Sequence, residues 1–417
     1  MMKKCEMLEM AEKAHSASMA LAKLSSRKKN NILEAMADEL DARRKEIQTA
    51  NQLDLAEGRK NGLSKAMLDR LELTDERFAS MVKGILDVIA LKDPVGEVIS
   101  TWVRPNGLEI RKTRVPIGVI GIIFESRPNV TVDAAVLCFK SSNATILRGG
   151  KEAIHSNRAL ARAIQEGGEK KGLPPNAVQL VQTTNRSAVK ELVQMEGLID
   201  LIIPRGGESL IRAVMEDARV PVIKHYKGIC HIFVDKHADL DGAVDIVDNA
   251  KTQRPGVCNA VETVLVHREI ADEFMPMLAN RLISKKVELR GDRASCGLIP
   301  EAVPATEEDW GTEYLDLILS LKIVDSVDEA IAHINTYGSK HSDAILSQSE
   351  TAQKKFLQEV DSSTVYVNAS TRFTDGNEFG LGAEIGISTD KLHARGPMGL
   401  EELTTYKFQV LGTGQIR

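Results

Sequence analysis

Closely spaced cysteines are missing from this sequence, which contains no Cys-X-X-Cys pair. The five cysteines are an odd number and lie far apart, at Cys5, Cys138, Cys230, Cys258 and Cys296. This distribution argues against a disulfide framework and against a metal site built on cysteine pairs. It is typical of free thiols in a reducing compartment, so we expect a cytoplasmic protein without a bound metal.

Long apolar runs and a strong net charge are also missing. The longest strongly apolar stretch, Val119 to Phe124, is far short of the roughly 20 residues that cross a membrane. Residues 1–26 are charged throughout, so no signal peptide is expected. Lysine and arginine total 54 and aspartate and glutamate 59, a net charge of −5. This balance gives no general electrostatic reason to bind nucleic acid or an anionic membrane.

The composition and length are those of a globular protein with more than one domain. Hydrophobic residues make up 43% and charged residues 27% of the 417 residues, which argues against disorder and predicts two or three domains. Residues 1–93 are rich in helix formers. Apolar residues at helical spacing predict helical structure from Lys28 to Ala50, and Thr74 precedes a second predicted helix that runs to Ile89.

The pattern changes after the helical segment. Two β-rich runs, Val98 to Arg104 and Leu108 to Val115, flank an Asn-Gly pair, which is a strong hairpin signal. From Pro116 onward predicted strands and helices alternate. This alternation predicts parallel sheets with helices on both faces.

Two glycine pairs in the α/β region each stand between the end of a strand and the start of a helix: Gly149-Gly150 and Gly206-Gly207. Open α/β sheets bind ligands at this place, because helix N-termini present N–H groups to phosphates. Tight βα turns use glycine there as well, and the GxGxxG fingerprint is absent, so both interpretations stay open. The cations beside the pairs, which favour anion binding, are Arg148, Lys151 and Arg205.

Cys258 is the cysteine whose surroundings most favour reactivity. It lies in a loop just before a predicted strand, with Gly256 and the cation Arg254 close by. A free cysteine is often only a small buried residue, so the local pattern alone does not decide between the two roles.

The order of motifs from Pro116 to Lys407 resembles the aldehyde dehydrogenase superfamily. The matching segments are Pro116 to Ile120, Arg127 to Asn129, Ser142 to Arg148, Ala238 to Asp241, the Cys258 loop, Glu313 and Asn335 to Gly338. The resemblance implies an α/β fold with a Rossmann-type cofactor domain, an α/β catalytic domain and a β-hairpin oligomerisation flap. The implied boundaries are 1–97 with 116–226 for the NADPH-binding domain, 227–400 for the catalytic domain, and 98–115 with 401–417 for the flap of a homo-oligomer.

Longer runs resemble the branch of this superfamily that reduces L-glutamyl 5-phosphate to L-glutamate 5-semialdehyde and phosphate. These runs are 124–131, 146–150, 205–207 and 393–400. The resemblance implies NADPH as cofactor and the second step of proline biosynthesis from glutamate. A glutamate 5-kinase that supplies the acyl phosphate is a possible partner.

The matched motifs imply roles for individual residues. Cys258 is the expected nucleophile and Asn129 the expected oxyanion donor. The expected cofactor ligands are Arg148, Gly149, Gly150, Lys151, Arg205, Gly206, Gly207 and Glu313. The expected substrate ligands are Arg127, Ser370, Thr371 and Arg372.

Two departures from the superfamily pattern agree with a reductase. His225 stands where hydrolytic members carry the glutamate that activates water, and an enzyme that uses an acyl phosphate must keep water off its thioester. Arg148 and Lys151 together favour a 2′-phosphate and hence NADPH. The alternatives are an NAD-linked hydrolytic aldehyde dehydrogenase and a non-catalytic protein that kept the fold.

Overall fold

The computed structural model describes residues 6–417, so Cys5 and the start of the first predicted domain lie outside the described residues. The chain forms two compact units. The first runs from the described start to Lys224 and includes Gly380–Gly386 and Met398–Arg417. The second comprises His225–Phe379 and Ile387–Pro397.

Five helices begin the first unit: α1 (Glu6–Leu21), α2 (Ser26–Ala42), α3 (Arg44–Lys60), α4 (Lys65–Leu71) and α5 (Asp75–Ala90). The hydroxyl oxygen of Thr74 accepts from the Arg77 N–H and begins α5, as the sequence predicts. The helical segment predicted from Lys28 to Ala50 is broken at Arg43. The Arg43 N–H bonds to Glu39 and Asp41 carbonyls at the end of α2, and its guanidinium binds the Glu39 carboxylate.

A parallel sheet forms the core of the first unit, with strand order β5-β4-β3-β6. Its strands are β3 (Val119–Phe124), β4 (Ala144–Gly149), β5 (Val178–Leu180) and β6 (Leu201–Arg205). The connecting helices are α6 (Val130–Lys140), α7 (Ile154–Glu169), α8 (Ser187–Val193) and α9 (Glu208–Asp217). Strands β3, β4 and β5 are buried along their whole length, and β3 has the unbroken apolar run expected of a strand covered on both faces.

The predicted hairpin is present and gains a third strand from the end of the chain. Its strands are β1 (Val98–Val103) and β2 (Glu109–Pro116), and Gly107 has the positive φ of +85° that the turn needs. Strand β16 (Thr404–Leu411) pairs antiparallel with β2. Several large apolar side chains of this sheet are exposed: Val98, Ile99, Trp102, Val103, Tyr406, Phe408, Val410 and Leu411.

The second unit is built on a seven-stranded parallel sheet with the order β10-β9-β11-β8-β7-β12-β13. Its strands are β7 (Cys230–Val234), β8 (Val261–His267), β9 (Glu288–Gly291), β10 (Val303–Pro304), β11 (Ile318–Val324), β12 (Ser342–Leu346) and β13 (Thr364–Val367). Its helices are α10 (Leu240–Thr252), α11 (Arg268–Ser284), α12 (Arg293–Leu298), α13 (Val327–Tyr337) and α14 (Glu350–Glu359). A short antiparallel pair, β14 (Ile387–Ser388) and β15 (Gly396–Pro397), completes it.

Both sheets have the predicted parallel α/β architecture. The Ser326 hydroxyl caps α13 by accepting from the Glu329 N–H, and the spacing of Ser326 and Glu329 is that of a capping box, a signal present in the sequence. None of the helices formed by residues 6–417 has the length and apolar character needed to traverse a bilayer. The same residues contain no cluster of three or more His, Cys, Asp or Glu side chains suited to a metal ion.

Candidate active site

Two predicted cofactor residues lie at the carboxyl end of β4 in the first unit. Arg148 is 7% exposed, and its Nη2 donates to the Thr184 and Asn185 carbonyls at 3.1 and 3.4 Å. Its Nε is buried without a hydrogen-bond partner among the described residues. Lys151, one turn further, is exposed. This strand end therefore offers one exposed cation and one buried guanidinium with an unmet N–H group.

Two carboxylates that the sequence analysis did not single out accept hydrogen bonds from backbone N–H groups at the carboxyl edge of this sheet. Glu125 accepts from the Gly207 N–H at 3.1 Å, and Glu152 accepts from the Ser126 N–H at 2.6 Å. The Gly207 N–H, expected to face a phosphate, thus already binds a carboxylate of the chain. Arg205, the last residue of β6, is half-buried, and Gly206 after it is exposed.

Asn129 precedes α6, and its amide donates to Asp133 one turn along the helix at 2.8 Å. Burial raises the pKa of Asp133 to about 6, although the Asn129 hydrogen bond and the charge of Arg205 act in the opposite direction. The i, i+4 spacing of Asn129 and Asp133 is the signal from which this pair was predictable. Arg127 is exposed in the same loop.

Cys258 belongs to the second unit, in the loop 253–260 that joins α10 to β8. The loop therefore lies at the amino ends of the parallel strands. Cys258 is partly exposed. By contrast, burial raises the pKa of Cys138 to about 12 and raises that of Cys230 well above its ordinary value, so both of these thiols stay protonated. Among these three thiols, Cys258 is the one placed to react.

The predicted substrate ligands 370–372 lie against the cysteine loop. Arg372 donates from Nε to Gln253 Oε1 at 2.8 Å and from Nη1 to Asn259 Oδ1, so it bridges the two ends of the loop. Thr371 is fully buried, and its hydroxyl donates to the Asn259 carbonyl at 2.7 Å. Burial and the charge of Arg254 lower the pKa of Arg372, whereas the neighbouring Cys258 sulfur acts in the opposite direction.

The hydroxyl oxygen of Ser370 accepts from the Arg372 N–H at 3.3 Å. The segment 370–372 is therefore held by a hydrogen bond within the segment and by hydrogen bonds to the Cys258 loop.

Gly228 links Cys258 to Glu313. A methyl group on Gly228 would overlap the Cys258 carbonyl, so the two backbones touch only because residue 228 has no side chain. The Gly228 N–H donates to Glu313 Oε1 at 2.8 Å. Cys230 donates from Sγ to the Cys258 carbonyl at 3.2 Å. His225 packs edge-on against His341 with ring centroids 5.8 Å apart.

Comparisons with known proteins show the family of the chain. The model of the "Aldehyde dehydrogenase family" matches residues 2–296. The chain is 56% identical to the gamma-glutamyl phosphate reductase of Halothermothrix orenii over 98% of this chain and 97% of the other. The crystal structure of the gamma-glutamyl phosphate reductase of Thermotoga maritima is similar at 51% identity and a TM-score of 0.97, covering 99% of this chain and 100% of the other. The Saccharomyces cerevisiae enzyme of that name is 33% identical, with a TM-score of 0.56 and 99% of both chains covered.

The raised pKa of Asp133 predicts a pH-dependent cost. A carboxyl group whose pKa rises on folding stabilises the fold below its unfolded pKa, near 4, and loses that contribution as the pH rises through about 6. We therefore expect Asp133→Asn to gain stability relative to the unaltered protein by about 2 kcal/mol between pH 4 and pH 7. Melting temperatures of the two proteins across this range test it, and a pH-independent difference would contradict it.

The contact between Gly228 and Cys258 predicts that Gly228→Ala lowers the melting temperature, because relieving overlap with backbone atoms costs about 1–3 kcal/mol. Gly256→Ala is the matched control in the cysteine loop, since a methyl group there meets its nearest neighbour, the Leu315 carbonyl, at an ordinary 3.7 Å. Calorimetry should place Gly256→Ala near the unaltered protein. Equal melting temperatures for both variants would show that the contact is not tight.

Proposed function

The chain belongs to the gamma-glutamyl phosphate reductases of the aldehyde dehydrogenase family, which are glutamate-5-semialdehyde dehydrogenases, and on this premise we propose that it reduces L-glutamyl 5-phosphate with NADPH through a thioester on Cys258. The observation that carries the proposal is the cysteine loop. It presents the partly exposed Cys258 beside the cation Arg372, and its backbone is held by Gly228, Cys230 and the segment 370–374.

In the proposed reaction the Cys258 thiolate attacks the acyl carbon. A C–S bond forms, the bond from carbon to the phosphate oxygen breaks, and inorganic phosphate leaves with the electron pair. The Asn129 amide and the Cys258 N–H stabilise the oxyanion, each worth roughly 3 kcal/mol. The nicotinamide cofactor supplies the hydride when bound. Collapse of the resulting thiohemiacetal releases the semialdehyde and restores the Cys258 sulfur, so covalent capture divides the reduction into two steps.

The residue at position 225 supports reduction over hydrolysis. A carboxylate there would activate water against the thioester, whereas His225 packs its ring against His341. We propose that the thioester survives because residue 225 has no carboxylate that could activate water to attack it. Phosphate is then the acceptor when the reaction runs backward.

Substrate binding is assigned to the segment beside the nucleophile. Arg372 uses Nε and Nη1 on the cysteine loop, which leaves the N–H donors of Nη2 for a carboxylate of the substrate. We propose that Arg372 binds the α-carboxylate and that Ser370 and Thr371 support it. Arg127, exposed in the loop before α6, is proposed to bind the substrate's phosphate or carboxylate.

NADPH binding is assigned to the carboxyl edge of the first unit. Exposed Lys151 and the unmet Nε–H of Arg148 suit the 2′-phosphate, and Gly149 and Gly150 are proposed to line the same site. Arg205 is proposed to neutralise the pyrophosphate, and the Gly206-Gly207 turn is proposed to lie beside it. Glu313 is proposed to bind the nicotinamide ribose.

The partners and location are proposed on the same premise. The exposed apolar face of the sheet β1-β2-β16 supports a homo-oligomer in which this face is covered. An acyl phosphate is labile, which supports a glutamate 5-kinase as supplier. The four described cysteines are free thiols, in keeping with a cytoplasmic location.

The reverse reaction tests the proposed function. Purified protein is mixed with pyrroline-5-carboxylate, which is in equilibrium with the semialdehyde, together with NADP and inorganic phosphate. We expect NADPH absorbance to rise only when phosphate is present. Cys258→Ala should abolish turnover and still bind NADPH, because only the nucleophile is lost.

Other outcomes identify the alternatives. NADPH formation that ignores phosphate would indicate a hydrolytic dehydrogenase. Full activity of Cys258→Ala would reject the thioester, and an inactive protein with an intact thiol would favour a non-catalytic role.

Lys151 gives a prediction about cofactor choice. Lys151→Glu should raise KM for NADPH by about 10- to 100-fold, because one charge-assisted contact to the 2′-phosphate is worth about 1.5–3 kcal/mol. KM for NADH should change much less. Exposed Lys83 on α5 is the matched control, and Lys83→Glu should leave both constants unaltered. Equal increases for the two cofactors would place Lys151 away from the 2′-phosphate.

A further inference from the structure

A buried ion pair closes the base of the cysteine loop. Lys251, at the end of α10, and Glu262, at the start of β8, lie on the two sides of the loop 253–260. The Lys251 Nζ is 2.6 Å from Glu262 Oε2, and both side chains are fully buried. The pair therefore fixes how far apart the two ends of the loop stand.

The other oxygen of the same carboxylate holds a second segment. Glu262 Oε1 accepts from the Leu315 N–H at 3.3 Å, and Leu315 has a positive φ of +54° that a non-glycine residue adopts only when held. Glu313, two residues earlier, accepts from Gly228, which touches Cys258. One carboxylate thus connects the nucleophile's loop with the segment that carries the proposed ribose ligand.

Stability alone does not account for such a pair. Desolvation offsets most of the attraction between buried charges, and apolar residues of similar volume often serve as well or better. Burial raises the pKa of Glu262 and lowers that of Lys251, while each charge opposes the shift of the other. What an apolar pair would not supply is an acceptor for the Leu315 N–H and a fixed separation of the loop ends.

We propose that Lys251 and Glu262 are positioning residues of the active site, which hold the Cys258 loop and the Glu313 segment in one arrangement. The proposal rests on the proposed roles of Cys258 and Glu313. It assigns to the pair a contribution to turnover and to cofactor binding that neither side chain makes by touching a ligand.

Three variants separate positioning from stability: Glu262→Met, which removes the acceptor for the Leu315 N–H, Lys251→Met and the double variant K251M/E262M. Each is purified as the full chain and compared by melting temperature, by kcat and KM in the reverse assay, and by hydrogen exchange of peptides covering residues 254–261 and 313–317. The matched control is Lys29→Met in the first unit, where the buried Lys29 pairs with the partly buried Asp93 at 2.5 Å.

We expect Glu262→Met to lower kcat about 10- to 100-fold, as small displacements of reacting groups do, and to raise KM for the cofactor. Exchange should become faster in both peptides. The double variant leaves no unpaired buried charge, so its melting temperature should recover towards that of the unaltered protein while its kcat stays low. Lys29→Met should lose stability and keep its kcat and the exchange rates of both peptides.

The proposal is overturned if the double variant turns over at the unaltered rate, or if exchange in the 313–317 peptide stays the same. The double variant supplies both readouts even if Glu262→Met does not fold. Hydrogen exchange needs no substrate. A protein that fails the phosphate-dependent assay but shows coupled exchange would therefore reject the proposed function and keep the coupling of the two segments.

Discussion

The contact between Gly228 and Cys258 is the constraint on which the arrangement around Cys258 in the second unit depends. Only a residue without a side chain fits against the Cys258 carbonyl, and the N–H of the same residue holds Glu313. Cys258 and Glu313 therefore both contact the backbone of Gly228. Cys230, which follows at the start of β7, donates to the same carbonyl. The position of Cys258 is thus set by backbone contacts from a neighbouring strand as well as by its own loop.

The two units present their predicted residues at opposite edges of their sheets. In the first unit the cations Arg148 and Arg205 stand at the carboxyl ends of strands, where α/β proteins bind ligands and where the glycine pairs predicted them. In the second unit Cys258 lies before β8, at the amino ends. No general rule of sheet topology finds a nucleophile there. The role of Cys258 as nucleophile is predicted only by the family resemblance, since its local pattern fitted a buried cysteine equally well.

The parallel sheets, the hairpin and the cap of α13 were predictable, because they depend on neighbours in sequence. Short strands such as β9 and β12 were missed, since three to five residues give little periodicity. The carboxylates Glu125, Glu152 and Glu262 were missed for another reason. Each binds a backbone N–H or a cation that is distant in sequence or hidden by the fold. Charged residues are mostly exposed, so a buried role is not indicated by their type.

We propose that Cys258 carries the substrate as a thioester that phosphate, and not water, removes. The most direct measurement is mass spectrometry of the Cys258 peptide after the protein meets pyrroline-5-carboxylate and NADP without phosphate. We expect a glutamyl group on Cys258, about one equivalent of NADPH per chain, and loss of the glutamyl group when phosphate is added. Continuous NADPH formation without phosphate, or an unmodified Cys258 alongside turnover, would contradict it.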